Sequence, residues 1–408
     1  MTHAVPIWTR MPHFSAAAAA LATFAALLGL AFGPLHLERR LAHLTAPEIL
    51  DVKDQGLALQ DEAFRDKDLL PAYGSSEFRN ASPFSGRLFF SSYPTGFGLF
   101  VVGKAGSKTL ITAERIGALG NDVRGKKVVI ILSPTWFLSR AEPVASYRGN
   151  FSALQASKLV FDSPLSPSLK SDLAREMLKY PKSLSGEPLL RRELQRLASR
   201  RHETVEDRLV DDLGRTEDFF RSLLDRVETT FALSGDIAEH PMQLSDTSRH
   251  AKTTPNWDAL VGDAAVTGLP QLWENQEDTA APKLARKLRG KDDSTFTAML
   301  SRTDEWNHLS LLLRTLRELG AKPLFISIPI NADAFEMAGV KPAQLDFYYA
   351  RLRDAVGDYH YPLVTFEKEQ SDPYFFADSV GHPSSKGWMV FNHVINQFYH
   401  GKLPPSQD

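Results

Sequence analysis

Two short segments carry the side chains best suited to nucleophilic chemistry. Gly74-Ser75-Ser76-Glu77 follows an apolar run and offers a serine hydroxyl on a sharp turn that should open a helix. Backbone N–H groups at such a turn can stabilise an oxyanion. Near the other end of the chain, Asp378 and His382 share a turn with Gly381, ahead of a helix expected from Ser384 or Ser385 to about Tyr399. Serine needs a base to become nucleophilic, and a histidine oriented by a carboxylate supplies one. Taken singly, each segment also reads as ordinary structure: Gly-Ser-Ser as a turn or N-cap, the Asp378–His382 stretch as a plain turn.

Other chemistries find little support. The chain has no cysteine, which excludes disulfides, a thiolate nucleophile and a cysteine zinc site. His240, His250 and His308 are scattered, without metal-ligand spacing. There is no phosphate-cradling Gly-x-x-x-x-Gly-Lys and no dinucleotide fingerprint, so no cofactor is expected. A formal charge of −2 over 408 residues leaves no electrostatic footprint for nucleic acid.

The elements that must position these groups follow from hydrophobic patterning. Strands are expected at 69–73, 127–132, 323–328 and 362–366, with helices between them at 105–119, 303–319 and 343–356. Strands alternating with helices imply an α/β fold with a parallel sheet covered on both faces, and sites in such sheets form at the carboxyl ends of the strands. Ser76, the Ser133-Pro134-Thr135-Trp136 segment and Pro329-Ile330-Asn331 all fall there.

Residues 14–35 contain no charge and are long enough to cross a bilayer of roughly 30 Å as a helix. An uncleaved anchor over 1–37 is expected rather than a cleaved signal, because Pro34 sits poorly after a cut at Ala31 or Gly33. Arg39 and Arg40 just after the span do not favour an N-terminus-inside orientation; that orientation is adopted because the catalytic body is expected outside the cytoplasm. Residues 38–66 read as an amphipathic stalk helix. The catalytic domain then covers 67–408, with a polar, arginine-rich helical insertion at about 152–293. Arg191, Arg192, Arg196, Arg200 and Arg201, and the basic run 283–291, read as solvated helix faces. The tail 404–408 is expected to be loose.

In order along the chain, several segments resemble the DltD family of D-alanyl-lipoteichoic acid biosynthesis proteins. Gly74-Ser75-Ser76-Glu77-Phe78 resembles the nucleophile block, and Gly106-Ser107-Lys108-Thr109-Leu110 the glycine-rich second block. Ser133-Pro134-Thr135-Trp136-Phe137, Asn150-Phe151-Ser152, Pro329-Ile330-Asn331 and Pro373-Tyr374-Phe375 follow in sequence. The resemblance implies an N-terminal membrane helix and a three-layer fold like the SGNH hydrolases and flavodoxin. It places Ser76 as nucleophile with Ser75 as the alternative, His382 as base and Asp378 as its orienting acid. Gly106 and the Ser76 N–H would bind the oxyanion, with Ser133 or Thr135 nearby in place of the hydrolases' asparagine, and Asn331 in support. One departure stands out: the family spacing is Asp-x-x-His, whereas three residues separate Asp378 from His382.

The implied function is extracytoplasmic acyl transfer, of D-alanyl or a similar group, to a hydroxyl of an envelope glycan or teichoic-acid-like polymer. The implied partners are a membrane-bound O-acyltransferase, an acyl carrier protein and the bilayer at 14–35. An esterase or thioesterase of the same fold, or a non-catalytic scaffold recruiting those partners, are the alternatives.

Overall fold

The computed structural model describes residues 12–403 apart from 33–36, 81, 94, 202, 240–253, 268–292, 338–339 and 379–380. Gly33, Pro34, His240, His250, the basic run 283–291 and the tail 404–408 lie outside these residues.

Five strands form one parallel sheet: β1 (Leu69–Tyr73), β2 (Gly98–Val102), β3 (Lys127–Leu132), β4 (Lys322–Ser327) and β5 (Leu363–Val364). Their spatial order is β2-β1-β3-β4-β5. Because successive side chains point to opposite faces, each strand feeds two cores. Phe100, Ile130, Leu132 and Phe325 pack into one layer with Phe64, Leu309 and Leu352. Leu99, Val129, Ile131 and Ile326 pack into the other with Phe78, Trp388 and Phe391. This is a sheet between two helical layers.

Proline sits inside two strands and sets where pairing begins. Gly74 donates its N–H to the Val102 carbonyl (3.1 Å), so the alternate residues 71 and 73 face β3. Pro71 has no N–H to offer there, and the β1–β3 register accordingly starts at Ala72.

The structure departs from the sequence expectations in several places. β2 is a fifth strand, added at the sheet edge, whose five-residue apolar run is too short to stand out beside its glycine-rich flank. β5 shrinks to two residues. The helix expected from 105 begins at Thr109, leaving 103–108 as a loop over the strand end. The expected stalk is three short helices, Leu37–Thr45, Asp51–Gln55 and Ala58–Arg65, that place Leu41, Leu57 and Phe64 in the core. Lys53 within them is fully buried. Its ammonium donates to the carbonyls of Thr45 (2.7 Å), Ala46 (3.1 Å) and Glu48 (2.7 Å) and lies over the Phe100 ring, while burial pushes its pKa down to about 7.

The apolar N-terminal segment is helical over Pro12–Phe32, with Phe14 and Leu21 largely exposed. Among the described residues no helix is long and apolar enough to cross a membrane; the side chains at 27, 28 and 30–32 fall outside them. The region 152–293 supplies helices to more than one side of the body. Pro188–Ser199 packs on the long helix Val205–Glu239, whereas Trp257–Thr267 lies on the C-terminal helix Ser385–Tyr399, where Trp257 stacks on His393. Four of the five clustered arginines are ion-paired: Arg192 to Glu206, Arg196 to Glu193, Arg200 to Asp172 and Arg201 to Asp207.

Candidate active site

The five loops that carry the expected site residues, one after each strand, emerge at the carboxyl edge of the sheet, because every strand runs the same way. Ser76 follows β1 and opens a single 3-10 turn, Ser76–Arg79, where the sequence suggested a helix. Two glycines make that turn possible. A Cβ on Gly74 would lie 2.1 Å from Glu77 Oε1, and one on Gly103 (φ +134°) would lie 2.0 Å from the Gly74 carbonyl oxygen. The backbones after β1 and β2 therefore touch, a closeness only glycine permits.

Ser76 Oγ lies 2.7 Å from His382 Nε2, and His382 Nδ1 lies 2.5 Å from Asp378 Oδ2. The three groups thus form one hydrogen-bonded line. The longer Asp-x-x-x-His spacing is absorbed by a narrow loop. Ala377 N–H donates to the His382 carbonyl (2.7 Å), Ser384 N–H donates to the Phe375 carbonyl (2.8 Å), and Gly381 takes φ +93°. Asp378 Oδ1 also accepts the His382 backbone N–H (3.0 Å), so one carboxylate holds both ends of the same residue.

Contacts join this loop to the Ser76 turn across 303 residues of sequence. Asn80 Nδ2 donates to the Pro383 carbonyl (2.7 Å), Ser82 Oγ meets Ser385 Oγ (2.7 Å), and Phe78 stacks on Trp388. The following helix runs over Ser385–Tyr399, as expected, and Ser384 caps it by accepting the Gly387 N–H.

The remaining expected site residues divide into those that touch this line and those placed beside it. Ser75 is buried, and its Oγ accepts the Gly106 N–H (3.1 Å) and donates to the Lys104 carbonyl (3.3 Å). The Gly106 N–H is therefore engaged by Ser75 in this state. Asn150 Nδ2 donates to the neighbouring Ala105 carbonyl (3.3 Å). Ser133 and Thr135, after β3, share a hydroxyl–hydroxyl bond of 2.8 Å. Asn331, after β4, donates from Nδ2 to the Asp378 carbonyl (3.4 Å) and accepts the Ala334 N–H.

Glu77 is a site residue the sequence reading passed over. Its carboxylate is buried and accepts the Ser75 N–H (2.6 Å). Burial raises its pKa, countered in part by backbone N–H donors and by the field of His382. Only the fold could reveal this, since a glutamate after a serine carries no spacing signal. A second buried network backs the Gly106 loop. Glu305 accepts the N–H and hydroxyl of Thr109 at the start of the helix Thr109–Leu119, and Lys108 donates to the Trp136 carbonyl (3.4 Å). Burial opposes the charge on His308 in the same network, but its hydrogen bond to Glu176 (3.0 Å) and the nearby Glu305 carboxylate (3.6 Å) outweigh it and push its pKa up to about 9. A polar cavity of about 370 Å³ lined by Asp61, Lys158 and Arg226 contains none of the site residues.

The fold defines the class, an α/β protein built on one parallel sheet, and at the sheet's carboxyl edge a hydroxyl, an imidazole and a carboxylate stand in one hydrogen-bonded line. Comparison with known proteins narrows this. Residues 46–400 match the family model described as DltD protein, and the chain belongs to that family. It is 27% identical over 359 residues to Protein DltD of Bacillus subtilis (strain 168), covering 86% of this chain and 88% of that one. Protein DltD of Staphylococcus aureus (strain NCTC 8325 / PS 47) is 22% identical over 356 residues, with 87% of each chain covered. Protein DltD of Lacticaseibacillus rhamnosus is 23% identical over 353 residues, covering 84% of this chain and 80% of that protein.

Proposed function

We propose that this protein is a membrane-anchored, extracytoplasmic serine acyltransferase that moves D-alanyl or a similar acyl group onto a hydroxyl of an envelope polymer. The observation that carries the reading is the continuous Ser76–His382–Asp378 line; membership of the DltD family supplies the acyl group by analogy. In the first half-reaction Ser76 Oγ attacks the acyl carbonyl carbon while its proton passes to His382 Nε2. The leaving group departs with that proton, and Ser76 carries the acyl ester. In the second half, His382 takes the proton of the acceptor hydroxyl as it attacks the ester carbon, then returns it to Ser76 Oγ. Asp378 holds the Nδ1–H tautomer and balances the imidazolium charge.

The Ser76 N–H and the Gly106 N–H are the proposed oxyanion donors, with Ser133 or Thr135 beside them. Use of Gly106 requires Ser75 Oγ to release it and keep only its bond to Lys104. On this reading residues 14–35 anchor the chain in the cytoplasmic membrane. A membrane-bound O-acyltransferase and an acyl carrier protein supply the acyl group, and a glycan or teichoic-acid-like polymer receives it.

One observation favours a second reading, hydrolysis. The His382 side chain is 30% exposed, so water reaches the base when no acceptor covers it. Intact-mass analysis of the full chain after reaction with an activated ester probe tests the site itself. Labelling lost in Ser76→Ala but kept in Ser75→Ala supports it. No labelling of the folded wild type would leave the non-catalytic scaffold as the better account. Product analysis with and without an acceptor glycan then separates transfer from hydrolysis.

A further inference from the structure

The long helix Val205–Glu239 carries apolar residues on its outer face as well as where it meets the body. Toward the body it presents a mixed face: Val210 and Leu233 are buried beside Asp207, Asp218 and Thr229, and a Cβ on Gly214 would meet the Phe161 ring at 2.3 Å. On the same side Asp225 accepts the N–H groups of Leu57 and Ala58, both at 2.8 Å. Toward the outside it presents Val205, Leu209, Leu213, Phe220 and Leu224, exposed by 84%, 58%, 48%, 56% and 56%. At 3.6 residues per turn these five fall within an arc of about 100°, a continuous stripe along roughly 30 Å of helix. An exposed apolar stripe of that size marks a contact surface.

The chain's own connectivity says what lies against it. The helix Leu37–Thr45 packs on this long helix, and Glu38 pairs with Arg226 at 3.6 Å. Only residues 33–36 separate Leu37 from the end of the apolar helix Pro12–Phe32, and four residues span at most about 14 Å. Arg226 lies two positions beyond the Leu224 end of the stripe. We infer that the outward stripe of Val205–Glu239 rests in the lipid–water interface beside the membrane anchor, an interfacial helix that fixes the height and tilt of the catalytic body over the bilayer. This rests on the anchoring of residues 14–35 proposed above. The helix carries ten carboxylates against four arginines, so contact is through apolar burial and needs no anionic lipid.

The absence of cysteine permits a direct test in the full chain. Single variants Leu213→Cys, Phe220→Cys, Leu21→Cys and Lys126→Cys, spin-labelled and reconstituted in phosphatidylcholine–phosphatidylethanolamine vesicles, are compared for collision with oxygen and with a water-soluble nickel chelate. Positions 213 and 220 are expected to follow the anchor position 21, with oxygen access exceeding nickel access, while 126 shows the reverse. Position 21 in lipid with 213 and 220 in water overturns this inference and leaves the anchor standing. Labels at 213 and 220 shielded from both reagents would also overturn it, in favour of a protein cover such as a second copy. An aqueous signal at position 21 refutes the anchor, and the inference falls with it.

Discussion

Asp378 accepts two hydrogen bonds from one residue, the His382 backbone N–H on Oδ1 (3.0 Å) and the ring Nδ1–H on Oδ2 (2.5 Å). Asp378→Asn keeps the shape and leaves one acceptor oxygen for two donors. If that oxygen stays with the backbone N–H, the amide NH2 faces Nδ1 and stabilises the tautomer protonated on Nε2. That nitrogen then points a hydrogen at Ser76 Oγ and cannot take its proton. The variant should fold normally, since the Asp378 side chain is partly exposed and the loop keeps its Ala377–His382 bond. The cost falls on the transition state: roughly 10³–10⁴-fold in acylation rate, or about 4–5.5 kcal/mol. The assay is the second-order rate of Ser76 acylation by an activated ester, followed by intact mass at constant pH, with thermal unfolding run alongside. An Asp378→Asn rate within tenfold of wild type, with Ser76 still the labelled residue, would refute the argument that this carboxylate sets the tautomer.

Three further outcomes are expected. Glu77→Gln keeps an acceptor for the Ser75 N–H but removes an ionisable carboxyl, its pKa raised by burial, whose field reaches His382; the acid limb of the kcat/KM–pH profile should move to lower pH, and an unmoved limb with reduced stability would leave Glu77 a purely structural role. Gly103→Ala forces a Cβ to 2.0 Å from the Gly74 oxygen at φ +134°, so destabilisation of roughly 3 kcal/mol or more is expected by denaturant titration, with acylation lost even in the folded fraction. The contribution of His308 to stability should fall as pH rises from about 6.5 to about 9, read as the difference between wild type and His308→Gln, because the lowered pKa of Lys53 acts in the opposite direction over this range. His308 has its pKa raised to about 9, so the folded state binds the extra proton in that window, and the stabilisation present below about 6.5 is lost above it. Burial raises Glu142 to about 7 and Glu114 to about 8, which acts in the same direction. A difference in melting temperature between wild type and His308→Gln that stays constant across this range would contradict that assignment.

The sequence by itself determined most of the local elements and offered the candidate side chains. Continuous apolar runs such as 127–132 are strands because only a strand buried on both faces is apolar at every position. Gly74, Ser76, Asp378, Gly381 and His382 announced themselves because nucleophiles, bases and tight turns demand particular residue types. What remained hidden was what depends on contacts between distant segments. The 38–66 segment has helical periodicity, yet whether it stands away from the body or folds onto it is decided by whether a core exists for Leu41 and Phe64 to enter. β2 was missed because five residues carry little periodic signal, and its strand character comes from pairing with β1. The altered Asp–His spacing could not be judged from residue counts, since a loop closed by the Ala377–His382 bond brings the side chains together whatever the number between them. Glu77 and the Ser75–Gly106 bond belong to the same category: their partners are set by three-dimensional proximity, and proximity across hundreds of residues is a property of the packed sheet rather than of any segment within it.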